Sequence, residues 1–381
     1  MQAKLFFNQI SLVIYLKAAE IVSIKICHCI VNLHNNAVIN FTQVLHYKSK
    51  CCIIVKRRSQ TAFYPYKKTR EVEFMSFAVT VFKAIDVLFD GAQNKRKVCR
   101  DKEGSVTVTN DIIYDPARPE ICKGDLYMPK GKPAGAVLEI HGGGFVAGDK
   151  KHRRGLSTWM AKNTGVAVFS VNYGVGPSSK FPDPVKDVAN AFNFLYGMAE
   201  EKGFDKDKIL VCGDSAGAYY CAQLGALQCS GGLCEKFGVS LKGRIAGAIL
   251  DCGVYDLEKA LGRKIAFNLT GDIVKDYLGI DLKDIKTYEK YDMLSPIDYV
   301  NEKFPETFIT YAEKDFFCGG QGEAMIEKFK EHGVPYREFH STKFMQNHTF
   351  PLTWKGKAAE ENNEIMLEFI KDVTSKRMSD S

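Results

Sequence analysis

Residues 213–217 read Gly-Asp-Ser-Ala-Gly, a G-x-S-x-G pattern, and carry the strongest chemical signal in the sequence. The motif stands between an apolar run at 208–212 and a helical pattern that begins at Ala216. A sharp strand-to-helix turn strains its serine, flanking glycines let backbone approach closely, and the helix start supplies free N–H donors. This context predicts a nucleophilic hydroxyl at Ser215. The alternative is a glycine-rich turn whose serine only caps the helix.

A second motif, His-Gly-Gly-Gly-Phe at 141–145, follows an apolar run that ends at Ile140. Three consecutive glycines cost backbone entropy and serve no packing purpose, but they let backbone N–H groups point at a developing oxyanion. A phosphate-binding loop is the alternative, and the motif lacks both the G-x-G-x-x-G spacing and the Lys-Ser/Thr pair of such loops. We expect His141, with Gly142, to support the loop by hydrogen bonding rather than to act as a base.

A serine nucleophile needs a base. The sequence has eight histidines, and three of them precede residue 75, where no clear hydrophobic period exists. His348 lies in a loop, 345–350, beyond the predicted last strand at 336–339, and from there its ring can reach the sheet edge. We therefore predict His348 as the base, with His340 at the end of that strand as the second candidate.

The base in turn needs an acid that orients it. Asp315 follows the predicted strand 307–311 within four residues, at the carboxyl edge where catalytic groups of open α/β sheets gather. Glu313 and Asp256 are the competing carboxylates. The resulting chain order of serine, aspartate and histidine is the one expected after a nucleophile elbow, and it favours Asp315.

Strands and helices alternate from residue 104 onward. Strands are predicted at 106–114, 121–128, 135–140, 166–171, 208–212, 245–250, 307–311 and 336–339, and helices at 184–199, 216–227, 322–331 and 360–374. Helices of this length between strands imply right-handed crossovers and a mostly parallel sheet, opened by an antiparallel pair. An earlier amphipathic pattern predicts one more helix, ending near Gly91, whose buried face consists of Phe77, Val81, Ala84, Ile85 and Leu88.

The net charge of +7 belongs to the N-terminal fifth of the chain. Residues 1–74 hold 11 Lys/Arg and 3 acidic residues, whereas residues 75–381 hold 41 and 42. A nucleic-acid-binding protein would carry its basic surface on the folded domain, so we predict no nucleic-acid partner. With 45% hydrophobic residues the composition excludes collagen-like, coiled-coil and disordered classes. We predict a catalytic domain at 75–381, preceded by a poorly ordered or mis-called N-terminal extension at 1–74.

Twelve cysteines are scattered along the chain, and no two Cys-x-x-Cys units are present to hold zinc. Cys27-His28-Cys29 lacks a second pair of ligands, so we expect reduced thiols and no metal or other cofactor. The apolar stretch 5–16 is shorter than the about 20 residues that span a bilayer, and no stable membrane insertion is expected. The sequon Asn347-His348-Thr349 overlaps the predicted base, where a glycan would obstruct the site; we therefore expect a cytoplasmic protein.

Together these motifs resemble the α/β-hydrolase superfamily, and within it the hormone-sensitive-lipase-like branch of carboxylesterases and lipases. The resemblance covers roughly residues 75–375 and rests on the motifs at 141–145, 171–182, 213–217, 295–296, 312–315 and 347–350. It implies an α/β-hydrolase fold, a mostly parallel sheet with helices on both faces and a small helical cap from about 75–100 and 255–292. It also implies an oxyanion hole formed by the backbone amides of Gly143, Gly144 and Ala216.

The chain departs from that branch in three places. It has Asp-Phe-Phe at 315–317 where the branch usually has Asp-Pro-Leu, and His-Thr-Phe at 348–350 where the branch has His-Gly-Phe. The segment 172–177 reads Asn-Tyr-Gly-Val-Gly-Pro where Asn-Tyr-Arg-Leu-Ala-Pro is usual. The first two departures fall on the loops that carry the predicted acid and base.

The resemblance implies a serine hydrolase that cleaves small to medium carboxylic esters without a cofactor. Phe145 and Tyr219 are candidate substrate contacts, because they are large and close in sequence to the catalytic loops; core positions are the alternative, which we favour for Tyr220. Amide deacetylation or deformylation, acyl transfer to an alcohol, and a non-catalytic small-molecule receptor are the alternative functions.

Overall fold

A computed structural model describes residues 44–47, 50–57, 60–65, 76–93, 96–263, 268–343 and 346–376. The chain divides into two units, Met1–Met75 and Ser76–Ser381. In the first unit the structure describes an antiparallel three-stranded sheet of β1 (Val44–Tyr47), β2 (Lys50–Arg57) and β3 (Gln60–Pro65). The rest of the predicted N-terminal extension, including Cys27-His28-Cys29, lies outside the described residues.

The second unit is built on an eight-stranded sheet. Its strands are β4 (Val106–Ile113), β5 (Lys123–Pro129), β6 (Ala136–Ile140), β7 (Ala167–Val171), β8 (Ile209–Asp214), β9 (Gly247–Asp251), β10 (Glu306–Ala312) and β11 (Tyr336–Ser341). They lie in the order β11-β10-β9-β8-β6-β7-β5-β4. β5 pairs antiparallel with β4 and β7, and the remaining neighbours pair in parallel. The predicted antiparallel opening and mostly parallel sheet are confirmed.

The helices of this unit are α1 (Phe77–Gln93), α2 (Arg154–Thr164), α3 (Asp183–Gly197), α4 (Ala199–Lys202), α5 (Ala216–Cys229), α6 (Gly231–Phe237), α7 (Leu257–Leu261), α8 (Leu269–Leu278), α9 (Gln321–His332) and α10 (Lys357–Ser375). The predicted helices are all present, with boundaries shifted by up to three residues. Sequence periodicity missed α2, whose pattern is interrupted by polar residues at 157–158 and 162–164.

The pleat of the strands distributes apolar side chains between two core layers. Along β6, Leu138 and Ile140 pack with α3 and α5 on one face, whereas Val137 packs with α2 and α10 on the other. All five residues of β6 are buried, because both faces of the central strands are covered by helices. The sheet therefore holds its carboxyl ends, which precede residues 141 and 215, in fixed positions.

The predicted amphipathic helix is present as α1, which begins at Phe77, but the face that was predicted to be buried is wrong by about one residue. The fully or nearly buried side chains are Ala78, Val79 and Phe82, while Val81 and Ile85 are only partly buried. The helix packs on Leu269 of α8 and on the loop that follows β6, rather than on the central sheet. Its tertiary partners, and not its own periodicity, select the face that is buried. Gly91 also lies inside the helix instead of ending it.

Candidate active site

Ser215 stands at the sharp turn between β8 and α5. Its backbone angles are φ 52° and ψ −117°, a conformation that L-residues rarely adopt. The turn is fixed by the Ser215 N–H, which donates to the Asp251 carbonyl at 2.8 Å. Gly217 has no room for a side chain, since a Cβ there would overlap the Ile140 carbonyl. The predicted strand–turn–helix context of the motif is thus present.

The side chains of Ser215, His348 and Asp315 form one hydrogen-bonded series. His348 Nε2 lies 2.9 Å from Ser215 Oγ, and its Nδ1 lies 2.9 Å and 3.1 Å from the two Asp315 oxygens. An ionised carboxylate can only accept, so Nδ1 carries the proton and Nε2 accepts from the serine hydroxyl. The series has the geometry of a nucleophile, a base and an orienting acid.

Electrostatics in this series favour an ionised acid beside a basic imidazole. Burial alone would raise the pKa of Asp315, but the adjacent His348 and the backbone N–H groups of Phe317 and Cys318, each 2.8 Å from Oδ1, hold it below its usual value. Burial alone would lower the pKa of His348, and the Asp315 carboxylate outweighs it and raises that pKa well above the ordinary value. The imidazole therefore binds a proton readily.

Asn347 connects the loop of the histidine to the loop of the acid, a role that the sequence did not reveal. Its Nδ2 donates to the Lys314 carbonyl at 2.7 Å, and its Oδ1 accepts from the N–H groups of Phe316 at 3.2 Å and His348 at 2.8 Å. The side chain thus fixes the spacing between the two loops. Its position directly before the predicted base was the only available signal.

Residues 142–144 form a loop whose backbone conformation and tight surroundings require glycine. Gly143 and Gly144 have φ of 142° and 60°, in the range that favours glycine. Within the described part of the chain, no acceptor faces the amides of Gly143, Gly144 or Ala216. Donors left open at the start of α5 and in this loop are available to an oxyanion.

His141 begins this loop and contacts its backbone. Its Nδ1 lies 2.8 Å from the Gly142 carbonyl oxygen, its ring stacks on Tyr173 at 4.4 Å, and its own carbonyl accepts from the Tyr173 hydroxyl at 2.6 Å. Complete burial lowers the pKa of His141 to about 4. The ring is therefore neutral at physiological pH and far from the role of a general base.

A buried ion pair lies directly behind the nucleophile. Arg153 Nε and Nη2 donate to the two Asp214 oxygens at 2.6 Å and 2.7 Å, and Gly142 N–H donates to the same carboxylate at 3.2 Å. Burial would raise the pKa of Asp214, but the charge of Arg153 holds it below its usual value. We call Arg153, Asp214, Ser215 and Asp315, which gather at the carboxyl edge of the sheet, the site floor.

Helix α1 packs against the loop that follows β6 and against the loop that carries Asp315. The ring of Phe82 occupies the space that a Cβ at Gly144 would need, and it contacts Phe317. Asp86, one turn later, accepts the Gly148 N–H at 3.0 Å, and burial raises its pKa to about 6. We call Phe82, Asp86 and Phe317 the site roof. Sequence analysis assigned none of the three to the site.

The remaining candidates lie away from the hydrogen-bonded series. His340 is exposed and stacks on Tyr311, Glu313 is exposed and pairs with Lys314, and Asp256 caps α7 through Lys259 N–H. The structure brings none of these three to Ser215.

Phe145 and Tyr219, the predicted substrate contacts, pack edge-to-face at 5.1 Å within the core. Phe145 also stacks on Tyr277 at 4.5 Å, and the Tyr219 hydroxyl donates to the Leu294 carbonyl at 2.9 Å. Their exposed fractions are 5% and 0%. Tyr220, for which a core position was favoured, is also fully buried.

Among the residues that the structure describes, two groups of side chains bring three potential metal ligands within 4.8 Å of one another: Asp315, Cys318 and His348, and Asp115, Cys122 and Asp187. In both groups a carboxylate is already engaged. Asp315 accepts from His348 and two amides, and Asp187 pairs with Arg118 at 2.5 Å. The side chains of both groups are therefore accounted for by hydrogen bonds and ion pairs within the protein.

The mostly parallel eight-stranded sheet, together with the sharp turn that carries Ser215 between β8 and α5, defines an α/β-hydrolase fold. Residues 125–323, just over half of the chain, match the BD-FAE family, and the chain belongs to that family.

Among curated proteins, the acetyl esterase of Salmonella paratyphi B is similar, with 26% identity over 165 residues that cover 43% of this chain and 47% of that protein. The chain thus spans about half the length of such relatives.

Similar solved structures include esterase B of Lactobacillus rhamnosis, with a TM-score of 0.66, 23% identity and coverage of 78% of this chain and 95% of that one. A bacterial heroin esterase gives a TM-score of 0.61 at 21% identity and covers 78% and 92% of the two chains. At this identity the likeness establishes the fold.

Proposed function

We propose that the chain is a serine esterase that hydrolyses carboxylic esters of small to medium acyl chains. The observation that carries the proposal is the hydrogen-bonded series Ser215–His348–Asp315. His348 Nε2 lies 2.9 Å from Ser215 Oγ, and His348 Nδ1 lies 2.9 Å from Asp315 Oδ2. The acetyl esterase among its relatives supports the same chemistry.

In the proposed reaction, Ser215 Oγ attacks the ester carbonyl carbon while His348 Nε2 takes its proton. Asp315 stabilises the imidazolium and keeps the ring oriented. The carbonyl oxygen becomes an oxyanion held by the amides of Gly143, Gly144 and Ala216, and each such donor is worth on the order of 10²–10³ in rate.

His348 then returns the proton to the departing alcohol, which leaves an acyl group on Ser215. Water, deprotonated by the same imidazole, attacks the acyl-enzyme and releases the carboxylic acid. The residues named supply every proton transfer, so the proposed mechanism requires no metal or organic cofactor.

Hydrolysis of p-nitrophenyl acetate, butyrate and decanoate by the full chain and its Ser215→Ala variant tests the proposal. We expect turnover of the shorter esters and a loss of kcat on the order of 10⁶ in the variant, the size seen when a triad serine is removed. Ser178→Ala is the matched control: it removes an exposed hydroxyl that donates to the Val175 carbonyl, and it should retain kcat.

Turnover that survives in Ser215→Ala would contradict the assignment of the nucleophile. A folded wild-type protein that hydrolyses none of the three esters, nor the corresponding amides, would favour the receptor function. Faster transfer to an added alcohol than to water would instead indicate an acyltransferase.

We further propose that this enzyme works in the cytoplasm. The buried cysteines of the described residues are free thiols, as expected in a reducing compartment. A glycan on Asn347 would replace one of the two Nδ2 hydrogens next to the Lys314 carbonyl and crowd the contact between the two loops. No helix among the described residues combines the length and apolar character needed to cross a bilayer. A glycosidase-sensitive mass shift of the native protein would contradict this location.

A further inference from the structure

Two phenylalanines from distant parts of the chain meet beside the catalytic groups. The ring centroids of Phe82 and Phe317 lie 6.1 Å apart. Phe317 also meets the His348 ring edge-on at 5.0 Å, and the Phe82 ring fills the space next to Gly144. A continuous aromatic wall therefore runs from the oxyanion loop to the imidazole.

The closeness of this wall to His348 concerns the alcohol part of an ester. The leaving oxygen must come within hydrogen-bond reach of His348 Nε2, because that nitrogen returns the proton to the departing alcohol. A group attached to that oxygen comes near the ring of Phe317, because the centroid of this ring lies 5.0 Å from that of the imidazole. Phe82 extends the same surface toward Gly144, where the oxyanion is held in the proposed mechanism.

The wall is a property of this chain and not of the motif. Phe317 stands where the branch that the chain resembles usually has leucine. Its side chain is partly exposed, whereas Phe82 is anchored with Val146 and Leu269 in a buried cluster. A partly exposed aromatic edge, held by a buried aromatic partner, offers offset or edge-to-face contact to a third ring.

We propose that Phe82 and Phe317 form the alcohol subsite and select esters whose alcohol carries a flat aromatic ring. This inference rests on the proposed esterase function and adds a preference that the catalytic series alone does not set. A puckered ring of similar size fills the same space without presenting a π face or edge to the wall.

Benzyl acetate and cyclohexylmethyl acetate separate these two cases, because their acyl groups are identical and their alcohols are similar in size and acidity. We expect the wild-type ratio of kcat/KM, benzyl over cyclohexylmethyl, to exceed one. Phe317→Leu should lower that ratio about 2- to 10-fold, the worth of one aromatic pair. The ratio within one variant cancels any general loss of activity.

Phe82→Leu should lower the ratio in the same direction, and Phe316→Leu is the matched control. Phe316 is 45% exposed, neighbours Phe317 in sequence and should keep the wild-type ratio. Thermal unfolding followed by circular dichroism checks that each variant is folded.

Hydrolysis of both acetates with a ratio near one, or a Phe317→Leu variant that keeps the wild-type ratio, would overturn the aromatic subsite while leaving the esterase function intact. A folded wild-type protein that hydrolyses neither acetate, nor the nitrophenyl esters, would overturn the esterase function and the subsite with it.

Discussion

The site floor and the site roof solve the same positioning problem in different ways. In the floor, Asp214 is the last residue of a central strand, Ser215 follows it at the turn, and Arg153 pairs with the buried Asp214 carboxylate. In the roof, Phe82 and Phe317 lie more than 200 residues apart and meet through apolar contact. Asp86 adds a hydrogen bond from the roof to the loop that follows β6, where it accepts from the Gly148 N–H.

The comparison indicates where the molecule tolerates change. Buried charges and a strained backbone leave the floor few alternatives, because each group loses a specific partner when its neighbour changes. Apolar contacts of the roof depend on size and shape, and such surfaces accept substitution with smaller losses. We therefore expect floor variants to abolish activity or folding and roof variants to adjust specificity and stability.

The largest expected effect is on catalysis, at the acid of the floor. Asp315→Asn should lower kcat for p-nitrophenyl acetate by about 10⁴, because an amide does not hold the imidazole in the tautomer that accepts the serine proton. Asp315 also raises the pKa of His348, so wild-type kcat/KM should increase with pH through values above that of an ordinary histidine. In the variant the remaining activity should extend to lower pH.

Glu313→Gln provides the control for this prediction, since Glu313 is an exposed carboxylate two residues away that pairs with Lys314. It should leave both kcat and the pH profile as in the wild type. Equal losses in the two variants would show that charge in the loop matters, and not the hydrogen bond to His348.

A smaller but still large effect is expected on stability, at the ion pair of the floor. Arg153→Met leaves Asp214 buried without its counter-charge, and breaking such a pair costs about 3–5 kcal/mol of unfolding free energy. Without Arg153, burial would raise the pKa of Asp214 above its unfolded value, so protonation should relieve part of the cost at low pH. Urea unfolding at pH 5 and pH 8 should therefore show the larger loss at pH 8.

Arg154→Met tests whether the effect belongs to the pair. Arg154 follows Arg153 directly, but its side chain is exposed and donates to the Lys151 carbonyl. Its substitution should change the unfolding free energy by no more than about 0.5 kcal/mol. A loss at Arg153 as small as this would mean that the buried pair contributes little to folding.

The contrast between the floor and the roof explains which parts of the site could be predicted from the sequence. The floor was accessible because its chemistry is local: Ser215 lies in a five-residue motif with a strand before it and a helix after it. Asp315 and His348 each follow a predicted strand, β10 and β11, and these strands pair in parallel, so their place at one sheet edge follows from that pairing. The hydrogen bonds between them are consistent with the predicted roles, and the roles themselves are tested by the variants above.

The roof and the supports behind the floor were not accessible, because their partners are remote in sequence. The periodicity of α1 placed Val81 and Ile85 inside, whereas contact with Val146, Ala147 and Leu269 buries Ala78, Val79 and Phe82 instead. No local pattern marks Arg153 as the partner of Asp214, or Asn347 as the connection between two loops. These assignments required the fold.

The smallest predicted effect is on stability, at Asp86 of the roof, where a substitution is expected to stabilise the protein rather than destabilise it. Burial raises the pKa of Asp86 from 3.8 to about 6. Between these values the folded state binds more protons than the unfolded state, so stability falls as pH rises from about 4 to about 6. Asp86→Asn removes this titration, and its amide oxygen can still accept from Gly148.

Asp86→Asn should therefore be more stable than the wild type at pH 8 and show no such gain near pH 3.5. The full shift corresponds to about 3 kcal/mol, and because the side chain is 18% exposed we expect about 1–2 kcal/mol. Urea unfolding of both proteins across this pH range measures the difference. A gain of equal size at pH 3.5 and pH 8 would assign the effect to packing, and a loss at pH 8 would show that the carboxylate stabilises the roof as the floor charges stabilise the floor.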